Sequence, residues 1–262
     1  MKRIVFFDVD HTLYDPIGRT IPQSAITAIK ALHQQPHTLI GIATGRASYM
    51  LDLIAEIKPY LDVIITINGQ LIYHHDQLIE DDPLDAAAIR EVIAVFQEER
   101  LTYGFIGKHQ QAINRLDTRS IAMFEEANLP LPIEDENFHL THQVYQLWAF
   151  ADKDQMRHLQ ARLPHHQLVP WLSDGFDVIH STKSKKDGIL TVLRELDVSL
   201  ESCVCFGDGD NDIAMLEGIP NSVAMGNAQD HVKAKAAYVT ESLLDDGILK
   251  ALKRLGWLDD DC

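Results

Sequence analysis

The 262-residue chain is poor in cysteine, poor in positive charge and free of long apolar runs, and each shortage excludes something. Of its three cysteines, Cys203 and Cys205 stand two apart in a β-type run and Cys262 ends the chain, so neither a disulfide framework nor a zinc-ligand spacing is present. With 23 Lys and Arg against 39 Asp and Glu, the formal charge of -16 opposes the backbone attraction on which nucleic-acid binding depends, and no nucleic-acid partner is expected. Nothing reaches the ~18 consecutive apolar residues of a membrane span. The first apolar run stops at Asp8, short of the ~7 to 15 residues of a signal-peptide core. The expectation is a reduced, cytoplasmic protein with no membrane partner.

Several familiar site patterns are also missing. There is no Walker A sequence and no Gly-x-Ser-x-Gly elbow. The run Asp208-Gly209-Asp210-Asn211-Asp212 starts like an EF-hand loop, but Ile213 replaces the Gly of its sixth position and Ile219 the Glu of its twelfth. A dinucleotide fingerprint fails because Asp212 stands where the third glycine is needed after Gly207 and Gly209. His33 and His37 are four apart, but Pro36 breaks the helix that a zinc pair would require.

What is there is a recurring unit of strand, polar tip and helix. Ile4-Val5-Phe6-Phe7 runs into Asp8-Val9-Asp10-His11-Thr12, Leu39-Ile40-Gly41-Ile42-Ala43 into Thr44-Gly45-Arg46, and Cys203-Val204-Cys205-Phe206 into Gly207-Asp208-Gly209-Asp210-Asn211-Asp212. An open parallel sheet places its ligand at such tips. Helices are expected over 24–33, 47–57, 184–196, 212–217 and 243–255, and Asn68-Gly69 supplies hairpin chemistry between the runs 62–67 and 71–73. The intervening residues read as a separate α/β unit, with helices over 84–100, 118–127 and 153–163, strands near 103–106, 144–150, 166–169 and 176–179, and a connecting loop over 129–136. The fold class is therefore α/β: a Rossmann-like, doubly wound parallel sheet formed by 1–81 and 183–262, with a smaller α/β domain, 82–182, inserted in it.

Each tip has an ordinary structural explanation when taken alone, since Asp and Thr cap helices and make turns. The coincidence of tips in one sheet favours a site. Asp8, Asp10 and Asp208 could converge on a hard cation such as magnesium. A phosphate monoester brings about -1.5 to -2, and like charges 4 Å apart repel by about 4 kcal/mol at an effective dielectric of ~20. Such a site holds phosphate only with a divalent cation and a lysine, and Lys185 and Lys186 stand at the start of the returning helix.

These residues resemble the haloacid dehalogenase superfamily, in particular its Cof-type branch of small phosphatases. Asp8-Val9-Asp10-His11-Thr12 is similar to the first motif of that family, Thr44-Gly45-Arg46 to the second, Lys185 to the third and Gly207 to Asp212 to the fourth; Asn68-Gly69 and Ala224-Met225-Gly226-Asn227-Ala228 extend the likeness. Only 34 positions separate Asp10 from Thr44, whereas 141 separate Thr44 from Lys185, so the insert falls where the family places its second type of cap, an α/β domain. The resemblance implies a phosphatase for a small phosphorylated metabolite in which Asp8 is the nucleophile and Asp10 the acid and base. It implies Mg2+ held by Asp8, the Asp10 backbone carbonyl and Asp208, with Asp212 in support. Thr44, Gly45, Arg46, Lys185 and Asn211 then bind the substrate, Lys186 being the alternative to Lys185. His11 departs from the family's usual Gly. A phosphomutase and a phospholigand-binding regulator without turnover are the rival readings, and the assembly is expected to be a monomer or weak homodimer.

Overall fold

A computed structural model describes residues 2–126, 129–171 and 175–259. Along the chain, β1 (Arg3–Phe7), β2 (Thr38–Ala43), β3 (Val63–Thr66), β4 (Leu71–His74) and β5 (Gln77–Asp81) come first. Next follow β6 (Tyr103–Gly107), β7 (Gln111–Ile113), β8 (Ile133–Glu134), β9 (Val144–Ala149), β10 (His166–Pro170) and β11 (Phe176–His180), then β12 (Cys203–Gly207), β13 (Asn221–Ala224) and β14 (Tyr238–Val239). The helices are α1 (Gln23–His33), α2 (Ala86–Glu98), α3 (Thr118–Glu126), α4 (Lys153–Arg162), α5 (Lys185–Glu195), α6 (Ile213–Gly218), α7 (Asp230–Lys233) and α8 (Gly247–Arg254).

The chain divides into two compact units, one of Met1–Arg46, Leu51–Asp81 and Ser184–Cys262, the other of Ala47–Met50 and Asp82–Lys183. The first holds an eight-stranded sheet in the order β14-β13-β12-β1-β2-β3-β4-β5. It is parallel from β14 to β3 and turns antiparallel at β4 and β5. Alternation in β1 explains why both faces are covered. Val5 and Phe7 pack with Ile26 and Ile29 of α1 and Ile248 and Leu252 of α8, whereas Ile4 and Phe6 pack with Ile189 and Val192 of α5 and Met215 of α6.

The inserted unit is an antiparallel sheet with one parallel edge pair, ordered β10-β11-β9-β6-β7-β8. Tyr103, Phe105, Leu147 and Phe176 pack under Val92 and Phe96 of α2 and Leu159 of α4. Asp82 and Lys183, which bound the longer of its two segments, form an ion pair.

Two expected helices take another form. Residues 47–57 make short 3-10 turns, Ser48–Met50 and Asp52–Ile54. The buried residues there are Ala47, Leu51, Ile54 and Ile57, spaced by four, three and three, a pattern that suits a helix as well as successive tight turns. In 243–255, Asp246 takes a left-handed conformation (φ +63°) that separates a 3-10 turn, Leu243–Asp245, from α8. Short strands β5, β7 and β8 were not expected, and β8 lies in the stretch read as a loop. The expected end of the third helix at Ala127, and Cys262, lie outside the described residues.

Candidate active site

β12, β1 and β2 are adjacent and parallel, so their C-terminal ends lie along one edge. The sheet reverses its winding there, with β2 and β3 built outward on one side and β12 to β14 on the other, which is the switch point where α/β sheets bind ligands. Asp8 follows β1, and its N–H donates to the Phe206 carbonyl of β12 (2.9 Å). Asp208 follows Gly207, the last residue of β12. Neighbouring strands thus carry the two carboxylates.

Lys185 is the first residue of α5, below the N-cap Ser184, whose Oγ accepts from the Asp187 N–H. Its fully buried Nζ donates to Asp8 Oδ1 and to Asp212 Oδ1, both at 2.6 Å. Asp212 Oδ2 accepts from the N–H groups of Asp208 and Gly209, each at 2.9 Å, and Thr12 Oγ1 donates to Asp208 Oδ1 at 2.7 Å. One ammonium therefore ties the first tip to the third. Its seat depends on Gly69, which has φ +100° and approaches so closely that a Cβ there would sit 2.4 Å from the Ser184 carbonyl oxygen. Lys186 instead lies against Gly218 at the end of α6, away from these carboxylates.

Thr44 is buried, and its Oγ accepts from the Arg46 N–H (3.1 Å) while its carbonyl accepts from the Asn68 N–H (3.0 Å). Asn211 Nδ2 donates to Asn68 Oδ1 (3.3 Å), with Gly45 against both amides. Arg46 grips Asp10 with two bonds, Nε to Oδ2 at 2.7 Å and Nη2 to Oδ1 at 2.8 Å. The Asp10 carboxylate consequently stands apart from the group formed by Asp8, Asp208 and Asp212, and Arg46 uses its guanidinium on a neighbour within the protein.

Charge is crowded at the tips. Burial, then the nearby Asp212, raises the Asp8 carboxyl well above its ordinary range against the opposing pull of Lys185. Burial and Asp212 push Asp208 up to about 7. For Lys185 burial acts downward, but Asp212 and Asp8 outweigh it and hold the ammonium charged. One oxygen from each of Asp8, Asp208 and Asp212 lies within 4.8 Å of the other two. Once ionised, the three carboxylates outnumber the single ammonium beside them, and an all-oxygen donor set of this spacing fits a hard divalent cation.

His11 has φ +61°, the left-handed conformation that explains a preference for Gly at that slot. Its carbonyl accepts from Asn227 Nδ2 (2.9 Å), and Asn227 Oδ1 accepts from the Leu243 N–H (2.9 Å), so the stretch after β13 braces the loop after β1. Thr12, Asn68 and Asn227 are the site-supporting residues to which the sequence assigned no role. Asn68 did carry a signal, but one that also fits a plain turn.

A family model described as haloacid dehalogenase-like hydrolase matches residues 5–252. YkrA of Bacillus subtilis, provisionally named as a phosphatase, is 31% identical over 98% of this chain and 99% of its own length. The pyridoxal phosphate phosphatase YbhA of Escherichia coli is 27% identical over 94% of this chain and 96% of its own. Among solved structures, the subclass IIB sugar phosphatase BT4131 superposes with a TM-score of 0.90 at 27% identity, covering 98% of this chain and all of that one. No helix among the described residues is long and apolar enough to cross a membrane. The chain belongs to the haloacid dehalogenase-like hydrolases, and its relatives place it among the phosphoric monoester hydrolases of that family.

Proposed function

We propose that the protein is a Mg2+-dependent phosphatase that hydrolyses a small phosphorylated metabolite, a sugar phosphate, nucleotide or phosphorylated cofactor, through an aspartyl-phosphate on Asp8. The observation that carries this reading is the meeting of Asp8, Asp208 and Asp212 at the strand tips, two of them, Asp8 and Asp212, bonded to the buried Lys185. An Asp8 carboxylate oxygen attacks phosphorus and the bond to the leaving oxygen breaks, with Asp10 supplying the proton that oxygen takes. Water then attacks the phosphorus of the acyl phosphate, Asp10 removes its proton, and inorganic phosphate leaves with Asp8 restored. Lys185, Thr44 and Asn211 hold the phosphoryl oxygens throughout. Mg2+ bound by Asp8, the Asp10 carbonyl and Asp208 would supply the charge that offsets two anions meeting.

The segments 1–81 and 183–262 are the catalytic core in this reading, and the inserted 82–182 is the cap that selects the leaving group. The protein works in the cytoplasm as a monomer or weak homodimer; the two buried free thiols, Cys203 and Cys205, accord with a reducing compartment. The test is phosphate release from p-nitrophenyl phosphate in Mg2+, with EDTA and Asp8→Asn as controls. Each control is expected to lower kcat at least about 10^3-fold. Turnover that survives both overturns the mechanism.

A further inference from the structure

Arg46 follows Thr44 and Gly45, and its place in that motif suggests a second cation for the substrate phosphate. The geometry points elsewhere. Its Nε and Nη2 are both spent on Asp10, in the paired geometry where guanidinium and carboxylate match two bonds at once. Its main chain is fixed on both sides, the N–H by Thr44 Oγ (3.1 Å) and the carbonyl by the Ile67 N–H (3.0 Å). The side chain is mostly buried, and the Asp10 side chain is about one-third exposed. A mostly buried arginine, anchored through its main chain on both sides, thus holds the Asp10 carboxylate by two bonds.

We infer that Arg46 is a positioning residue, which fixes the Asp10 carboxylate for its acid and base steps and does not bind the transferred phosphoryl group. The inference rests on the phosphatase reading above. Binding of phosphate falls to Lys185, Thr44 and Asn211, and Arg46 acts on the reaction only through Asp10. A fixed carboxylate matters because acid–base help is worth about 10^2 to 10^4 in rate, and a misplacement of about 1 Å can cost about 10^2 of it.

Steady-state kinetics of the full chain in Mg2+ separate the possibilities, using Arg46→Met and Arg46→Lys alone and Arg46→Met combined with Asp10→Asn. Arg46→Met is expected to lower kcat about 10- to 100-fold with KM for p-nitrophenyl phosphate changed by less than about threefold. Arg46→Lys, which keeps the charge but not the double bond to Asp10, should recover only part of the loss. In the Asp10→Asn background, Arg46→Met should cost less than a further threefold, because the group it positions is already gone. A KM raised tenfold or more at unchanged kcat, or losses that multiply in the double variant, makes Arg46 a phosphate ligand and overturns the inference. Should Arg46→Met not fold, Arg46→Lys in the two backgrounds gives the same comparison. Failure of the phosphatase reading is recognised separately, by absent turnover in the unsubstituted protein.

Discussion

In the unit built on the parallel sheet, the buried polar side chains include Asp8, Lys185 and Asp212; in the inserted unit they are Thr102, Gln111, Ser120, Gln146 and His166, with no carboxylate or ammonium among the described residues. Strand direction accounts for the difference. Parallel neighbours bring every C-terminal end to one edge, so charged tips from distant parts of the sequence accumulate and must find counter-charges. Antiparallel neighbours send successive ends to opposite edges and dilute any such set. A sheet of the first kind concentrates chemistry, and one of the second kind is suited to being a scaffold whose interior stays neutral.

The contrast breaks most sharply on Lys185→Met. Removing the one ammonium leaves Asp8 and Asp212 buried and facing each other, and a loss of about 3–5 kcal/mol in urea unfolding is expected in metal-free buffer. A loss under 1 kcal/mol would show that the carboxylates are neutral without it and that the concentrated charge is not real.

Next in size is the response to cation and pH. Asp208 holds its proton up to about pH 7, whereas an unfolded aspartate releases it near 4. Between those values the folded chain binds more protons than the unfolded one, so metal-free stability should fall as pH rises from 4 to 7. Under the proposed function Mg2+ would compete with that proton, and its stabilisation, about 2.7 kcal/mol at 100 times its dissociation constant, should be larger at pH 8 than at pH 5. Thermal melts with and without Mg2+ at the two pH values test this, and an equal gain at both contradicts it.

The smallest effect belongs to the inserted unit. His166 is buried with neither ring nitrogen hydrogen-bonded, and burial lowers its pKa so that the ring is neutral. His166→Leu removes two buried polar atoms that have no hydrogen-bond partner, so stability should change by less than about 1 kcal/mol or rise. A loss above 2 kcal/mol would mean that the imidazole makes a contact that a neutral interior does not need.

How far the sequence could be read follows the same division. Strands with polar tips were legible because apolar runs ending in Asp or Thr are a local pattern, and the convergence of Asp8 with Asp208 follows from parallel order. The choice between Lys185 and Lys186 was not local. It depends on which side of the first turn of α5 faces β1, and that is set by the close seat of Gly69 beneath Ser184. The partner of Arg46 was equally hidden, since guanidinium and phosphate chemistry look the same in one dimension. The 3-10 turns after Arg46 defeated a periodicity reading because buried positions at 47, 51, 54 and 57 also fit the spacing of an α-helix.

Asp82 and Lys183 pair across a hundred residues of intervening chain. Both residues belong to the inserted unit, so the two ends of its long segment are closed on each other by a bond internal to that unit. Only Ser184 separates Lys183 of that pair from Lys185, so the closing bond stands two positions in the chain from the buried ammonium.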